Sequence, residues 1–531
     1  MNQSFDESYD IVVIGGGATG CGIALDASSR GYKVLLLEKN DIASGTSSKS
    51  SKLIHGGIRY LEKAVLKLDK SQYDLVKESL GERYIFLKNA SHLSNRLKIN
   101  TPIYNWFELM YVYTGLFFYK LLSFSKSIGD NSYVNKTLLT LIQPNIKQSN
   151  LVGAVSFYDG QFLDSRMALS LVQTAKLYEA NIQNYHEVIN FNYDSSNKMN
   201  SVNFKNSITN KNYTVKSKCI INASGPSVDK IRILDDKKVD EVLSLTSGIH
   251  IVVDKKYLPF DEAILIPKTK DGRIIFILPY LGKCLIGTTD NKTNYVEELH
   301  ASQSSKEYLL SHVNEYFDMK LTLDDIDSSW CGIRPLLKPK KNKDSQNIVR
   351  EHQILESASG LVSIVGGKWT TYRKMSEELV NYCILNKKLE DKGPSKTKKL
   401  KLYGSKIDVK ITRKLLDSYN ISSNTKKSLI ELYGDKAIDV LDVARKFNSF
   451  DLICNDLPYL KAEVIYSIKY EFVKKPIDFL ARRIGLCFLD KEKSLSCVKV
   501  VCEVMSIILI WDKERIKKEI YETQSLISKL F

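Results

Sequence analysis

The chain has no C-x-x-C pair. Its nine cysteines stand far apart, at 21, 219, 284, 331, 383, 454, 487, 497 and 502. That spacing argues against a disulfide framework or a zinc site, and for a reducing compartment. No run of 18 apolar residues occurs, so no membrane-spanning helix is expected. The opening stretch MNQSFDESYD is acidic and lacks an apolar core, so it reads as neither a secretion signal nor an Arg-rich transit peptide. There is no internal repeat and no EF-hand loop, which argues against calcium control. A clustered basic stripe with interleaved aromatics is also missing, and with it the pattern of a nucleic-acid-binding module. Histidine is scarce, with seven in 531 residues, so each one deserves a reason.

What is there fits a globular protein of two or three domains. Hydrophobic residues make up 43% and charged residues 26%. The net charge of +16 suits an anionic surface or an anionic small substrate and does not choose between them. Many lysines lie beside Asn and Ser, scattered as a solvated surface would have them.

Residues 9–40, YDIVVIGGGATGCGIALDASSRGYKVLLLEKN, read as one βαβ unit. Ile11 to Ile14 is a continuous apolar run, expected of a strand buried on both faces. Gly15-x-Gly17-x-x-Gly20 follows at once. Gly15 permits the tight turn, Gly17 lets a pyrophosphate approach the backbone, and Gly20 lets the following helix pack closely. That helix, expected over Ala18 to Ser29, offers its N-terminal N–H groups to phosphate. A second strand, Tyr32 to Leu37, ends in Glu38, whose carboxylate can accept hydrogen bonds from both ribose hydroxyls. The fingerprint alone does not separate NAD from FAD, although Glu38 argues against NADP. The next stretch, GTSSKSSKLIHGGIRYL, favours FAD. Thr46, Ser47 and Ser48 suit a segment laid along an extended cofactor, and His55-Gly56-Gly57 leaves room for a flat ring.

With these motifs in view, the chain resembles the FAD-dependent glycerol-3-phosphate dehydrogenases, the respiratory, quinone-linked type, within the D-amino-acid-oxidase-like flavoproteins. The matching stretches are IGGGATGCGIALDASSRG at 14–31, TSSKSSKLIHGGIRYLE at 46–62, NASGP at 222–226, GIHIVV at 248–253, IGTTD at 286–290, GIRPL at 332–336, GGKWTTYRK at 366–374 and KPIDFLARRIGL at 475–486. They run in the family's order. Three departures stand out: Ser227 follows Pro226 where the family has an aromatic, Thr246-Ser247 precede the strand His, and Trp369 stands where Leu is usual.

The resemblance implies an α/β FAD-binding Rossmann-like domain, discontinuous in sequence, with an α+β substrate domain built on an antiparallel sheet and a C-terminal helical domain. The expected division gives 9–95, 150–235 and 345–385 to the FAD domain. Residues 96–149 and 236–344 go to the substrate domain, 387–404 to a charged linker and 405–531 to the helices.

The implied substrate is sn-glycerol 3-phosphate, oxidised at C2 to dihydroxyacetone phosphate by hydride transfer to flavin N5. Arg334 then binds the phosphate through its guanidinium fork. Arg59 sits at the flavin's substrate face, for the phosphate or the developing alkoxide, with Tyr60 in support. His250, expected at a strand end before the apolar run IVV, takes the hydroxyl proton as a neutral imidazole. His55 competes for that role but reads mainly as part of the flavin loop. Lys368 adds positive charge near flavin and substrate. Gly367 opens a strand–turn–helix whose N-terminus faces the reduced flavin, with Thr370 and Thr371 capping it and donating to the ring. Gly225 marks a third close backbone approach to FAD, and Thr289 reaches a strand end at the pocket.

The family's electrons go to a membrane quinone. Residues 106–124, WFELMYVYTGLFFYKLLSF, carry many aromatics but are broken by Glu108 and Lys120. They suit a membrane interface or a cover over the site. The expected location is therefore cytoplasmic, held peripherally on the inner face of the membrane. Oligomeric state is open between monomer and homodimer. Two enzymatic alternatives stay open on the same fold: oxygen as electron acceptor, and an amino acid as substrate.

Overall fold

The computed structural model describes residues 5–57, 70–123, 126–267, 269, 272–338 and 352–531. Arg59 and Tyr60 lie outside the described residues.

The first strand, Ser8–Ile14, is central in an eight-stranded sheet among the described residues. It pairs in parallel with Val34–Glu38 on one side and Asn212–Asn222 on the other. Ile11 stands opposite Val34 and Cys219, and Val13 opposite Leu36 and Ile221. All these side chains are buried, which is why the sequence is apolar without alternation. Val362–Gly366 extends the sheet in parallel beyond Asn212–Asn222. The helix after the first turn spans Ala18–Arg30 and closes on Gly31, whose φ of 99° provides the left-handed C-terminal residue.

The second sheet has ten strands among the described residues and is mainly antiparallel. Near one end of it lies Leu243–Asp254, flanked by Lys283–Gly287 and by Ile326–Leu337. His250 is not at a strand end. It sits inside Leu243–Asp254, opposite Gly287 and Trp330, because the strand begins seven residues before it, in Leu-Ser-Leu-Thr-Ser. The sequence division groups residues 150–235 with the FAD domain. The strand Gly153–Phe162, however, pairs along its whole length with Ser94–Ile103 in the second sheet, and Leu53–Ile54 pairs with its far end. The choice of partner is long-range, and local periodicity does not carry it.

From Val409 onward the chain is helical, with long elements at Ser423–Tyr433, Ala437–Phe447, Lys491–Leu509 and Lys513–Leu530. A π-helical stretch, Asp478–Arg483, docks this region onto the first sheet. Asp41, three residues past Glu38, is fully buried there. It accepts from Arg482 Nε at 2.6 Å, from Arg483 Nη1 at 2.6 Å and from Arg483 Nη2 at 2.8 Å. Asp478 completes the network, taking Arg482 Nη2 and the Tyr185 hydroxyl, each at 2.7 Å.

Candidate active site

A cleft of about 960 Å³ runs along the first Gly-rich turn, the segment Ser44–Ser51, the strand ends at Ala223–Ser227, and Gly366–Thr370. It continues to His250, Thr288–Asp290 and Ile333–Leu336 on the second sheet. Of the expected residues, Gly15, Gly17, Glu38, Thr46, Ser47, Ser48, His55, Gly57, Gly225, His250, Thr289, Arg334, Gly367, Lys368 and Thr370 all line it.

The floor is a backbone cradle. A Cβ on Gly15, where φ is 108°, would stand 2.7 Å from the Ala223 carbonyl oxygen. A Cβ on Gly20 would lie 1.9 Å from the Gly15 carbonyl oxygen. Gly20 therefore does not touch the cleft but sets the helix against the turn. The helix Ala18–Arg30 has no acidic residue in its first turn, so its positive end faces the cleft uncompensated. Glu38 Oε2 accepts from Gly16 N at 2.6 Å and Oε1 from Asn40 N at 2.9 Å, which fixes the carboxylate at the cleft rim. Burial raises its pKa despite these two N–H donors. A glycine-lined bed, a free helix dipole and a rim carboxylate fit an extended dinucleotide.

The hydroxyls expected to meet phosphate are partly committed elsewhere. Thr46 donates to the Ile333 carbonyl at 2.6 Å, and Ser47 Oγ accepts from Ala18 N at 2.8 Å. Ser48 is buried. Gly56 does not face the cleft: a Cβ there would meet the Tyr119 hydroxyl at 2.3 Å and Leu80 at 2.4 Å, so its missing side chain serves packing. Thr370 donates to the His55 carbonyl at 3.3 Å. Thr371 turns inward to the Lys368 carbonyl and Met375 Sδ. Trp369 earns its place by a contact that Leu could not make, since its indole N–H donates to the Ser47 carbonyl at 2.9 Å.

At the other end, Arg334 lies flat over Gly248, where a Cβ would meet its Nη2 at 2.2 Å. Its fork donates to Asp290 Oδ1 at 2.9 Å, and to Thr288 Oγ1 and the Thr289 carbonyl, each at 3.0 Å. Thr289 is buried, and its hydroxyl accepts from Ile249 N at 3.1 Å, holding the strand end rather than opening to the pocket. His250 is buried, with its ring stacked on Trp330 at 5.2 Å and 17°. Its Nε2 meets Ser51 Oγ at 2.8 Å. Burial, then the positive charges of Arg334 and Lys52, keep the imidazole well below its ordinary pKa and hence neutral.

Sequence reasoning missed Ser51, Lys52 and Asp164. Lys52 Nζ is buried and donates to Ser48 O at 2.6 Å and to Asp164 Oδ1 and Oδ2 at 2.7 and 2.8 Å. The available signal was a lone lysine set between small residues and the buried pair Leu53-Ile54.

These features define a dinucleotide-binding site joined to a polar pocket, and the comparisons with known proteins identify its class as an FAD-dependent oxidoreductase. A family model described as "FAD dependent oxidoreductase" matches residues 10–373. A second, described as "C-terminal domain of alpha-glycerophosphate oxidase", matches residues 395–516. The chain is 39% identical to a probable mitochondrial glycerol-3-phosphate dehydrogenase of Dictyostelium discoideum, over 100% of this chain and 85% of that protein. It is 38% identical to the mitochondrial glycerol-3-phosphate dehydrogenase of Rattus norvegicus, over 98% of this chain and 73% of the relative. Among solved structures, the glycerol-3-phosphate dehydrogenase of Bacillus halodurans complexed with FAD superposes with a TM-score of 0.80 at 28% identity, over 99% of this chain and 95% of that one. The chain belongs to the family of FAD-dependent glycerol-3-phosphate dehydrogenases. Its cofactor is FAD.

Proposed function

We propose that the chain oxidises sn-glycerol 3-phosphate at C2 to dihydroxyacetone phosphate and passes the electrons to a membrane quinone. The observation that carries this reading is that the bed for FAD and the cations of Arg334 and Lys368 share one cleft with the neutral His250. FAD, when bound, supplies the two-electron acceptor. The protein's part is to bind, orient and deprotonate. Arg334 takes the phosphate with its fork, displacing the carboxylate of Asp290. Lys368 adds positive potential beside Gly367 and the short helix Trp369–Thr371. His250 accepts the hydroxyl proton through its Ser51-bonded edge. Arg59, as the family pattern implies, completes the cationic set. A single carboxylate, as an amino acid carries, calls for less positive charge than a phosphate dianion.

Arg334→Gln is expected to raise KM for sn-glycerol 3-phosphate by about 10- to 100-fold, the loss of one charge-assisted bidentate contact, and to leave the flavin spectrum intact. Asp290→Asn should lower KM, because it removes the competitor for the guanidinium. Steady-state kinetics with a dye acceptor checks both. Following a soluble quinone analogue and peroxide release side by side tests the acceptor. Turnover with quinone and no peroxide supports the dehydrogenase reading, and stoichiometric peroxide replaces it with an oxidase.

Attachment to the membrane surface rests on the helix Trp106–Ser123, in which Leu116, Tyr119 and Ser123 are the buried residues. Phe107 is 88% exposed, Met110 71% and Trp106 66%. No helix among the described residues is long and apolar enough to cross a membrane. An apolar face of this kind, on a chain of net charge +16, suits the interface of an anionic leaflet. The protein should sediment with anionic vesicles at low salt, and Phe107→Glu with Met110→Glu should release it without loss of dye-linked activity. Wild-type protein that stays in the supernatant contradicts the attachment.

A further inference from the structure

The segment Ser48–Lys52 carries a feature that cofactor binding alone does not account for. Lys52 adopts φ of 58°, the left-handed region that a lysine rarely enters without compensation. Its buried ammonium is held by three oxygens, two of them from Asp164, the first residue of the helix Asp164–Leu177. The same carboxylate accepts from Ser50 N at 3.2 Å and Ser50 Oγ at 2.7 Å. Ser50 and Lys52 are thus both tied to one helix end. The residue between them, Ser51, is the one whose hydroxyl meets His250 Nε2 at 2.8 Å. Lys52 Nζ also lies 5.3 Å from the ring centroid of Trp330, on which His250 stacks, and 4.7 Å from that of Phe488 in the C-terminal region.

A fully buried lysine–carboxylate pair is a poor way to stabilise a fold, since apolar side chains of like volume do as well or better. Its merit is directional, because it fixes charge and backbone together. We propose that Lys52 and Asp164 are a positioning pair that clamps Ser48–Lys52 under the cleft and, through Ser51, sets the orientation and proton affinity of His250. The catalytic consequence rests on the function proposed above, but the effect on His250 does not. Among the described residues, the charged groups that act on His250 are Arg334 on the strand Ile326–Leu337 and, behind Ser51, Lys52, whose ammonium Asp164 holds. Asp290 offsets Arg334, and the strand Lys283–Gly287 contributes only Gly287 opposite the ring.

The two members of the pair should act in opposite directions. Lys52→Met removes a buried positive charge and leaves a carboxylate near the imidazole, so His250 should protonate at higher pH. Asp164→Asn leaves the ammonium uncompensated and should hold His250 neutral to the same or lower pH. Lys52→Arg keeps the charge and should restore most of the wild-type behaviour.

The test uses the FAD-loaded protein with histidines isotopically labelled. His250 is titrated by NMR in wild type, Lys52→Met, Lys52→Arg and Asp164→Asn, and the acid limb of kcat/KM with sn-glycerol 3-phosphate is recorded for each. Far-UV circular dichroism and the flavin-to-protein ratio confirm that each variant folds and keeps cofactor. The expected result is an upward shift in the His250 midpoint by about one pH unit or more in Lys52→Met, with none in Asp164→Asn, and a tenfold or greater fall in kcat for both. A His250 midpoint that is the same in all four proteins overturns the proposal, as do shifts of one sign in both charge-neutral variants. Should Lys52→Met fail to fold, the contrast of Lys52→Arg with Asp164→Asn decides through kcat: a tenfold or greater fall in Asp164→Asn that Lys52→Arg does not share is expected, and an equal kcat in the two overturns the proposal. If wild type does not turn over the substrate, the proposed function fails, while the NMR titration still tests the pair.

Discussion

A chain carrying Gly20→Ala is expected to lose its flavin. The added Cβ would lie 1.9 Å from the Gly15 carbonyl oxygen and 3.0 Å from its carbon, both backbone atoms with no rotamer to yield. The helix Ala18–Arg30 must therefore lift away from the turn. That move carries off the N–H groups and the dipole that receive the pyrophosphate. Overpacking of this sort costs about 1–3 kcal/mol in the fold alone. Its effect on FAD is larger, because the cradle between Gly15 and Ala223 opens at the same time. Purified Gly20→Ala protein should show a 450 nm absorbance per chain at least tenfold below wild type, with near-normal far-UV circular dichroism. Wild-type flavin content in this variant would contradict the placement of the pyrophosphate.

The second large effect is expected at Asp41. Alanine there leaves the buried Arg483 and the partly buried Arg482 without their shared carboxylate. Breaking a buried pair by removing one partner typically costs about 3–5 kcal/mol; here Arg483 loses its carboxylate and Arg482 keeps only Asp478. The C-terminal helices should loosen from the first sheet beside Glu38, lowering the melting temperature and weakening FAD at its adenosine end. The same network predicts acid sensitivity. Burial alone would raise the Asp41 carboxyl, but Arg483 and Arg482 outweigh it and hold it at about 2. Its folded-state pKa is thus depressed, so its contribution to stability is complete above about pH 4. It is lost as pH falls toward 2. Thermal melts across that window should show a loss in wild type that is much reduced in Asp41→Ala.

The glycine turn, its helix and the acid at Glu38 were legible because they obey local rules: an apolar run, a spacing, a capped helix. A side chain at Gly15 would meet the Ala223 carbonyl, and one at Gly20 the Gly15 carbonyl, so the turn and the packed helix both call for glycine. Where reasoning from sequence erred, the cause was long-range. His250 looks terminal because apolar residues follow it, yet the pairing of Leu243–Asp254 with Ile326–Leu337 makes it internal. Gly56 reads as room for a ring, yet Tyr119, from a helix 63 residues on, takes the space. Gly153–Phe162 belongs to the second sheet because of its partner, Ser94–Ile103, not its composition. Lys52 and Asp164 are 112 residues apart, and no local pattern joins them. Asp41 and Arg483 are separated by 442, so the docking of the C-terminal helices was equally hidden.

The cleft is expected to hold FAD and to reduce it with sn-glycerol 3-phosphate. The most direct test is an anaerobic absorbance spectrum of the purified protein before and after adding that substrate. The expected result is an oxidised flavin spectrum that bleaches on addition, with dihydroxyacetone phosphate formed at one equivalent per flavin. A bound flavin that stays oxidised at saturating sn-glycerol 3-phosphate would contradict it.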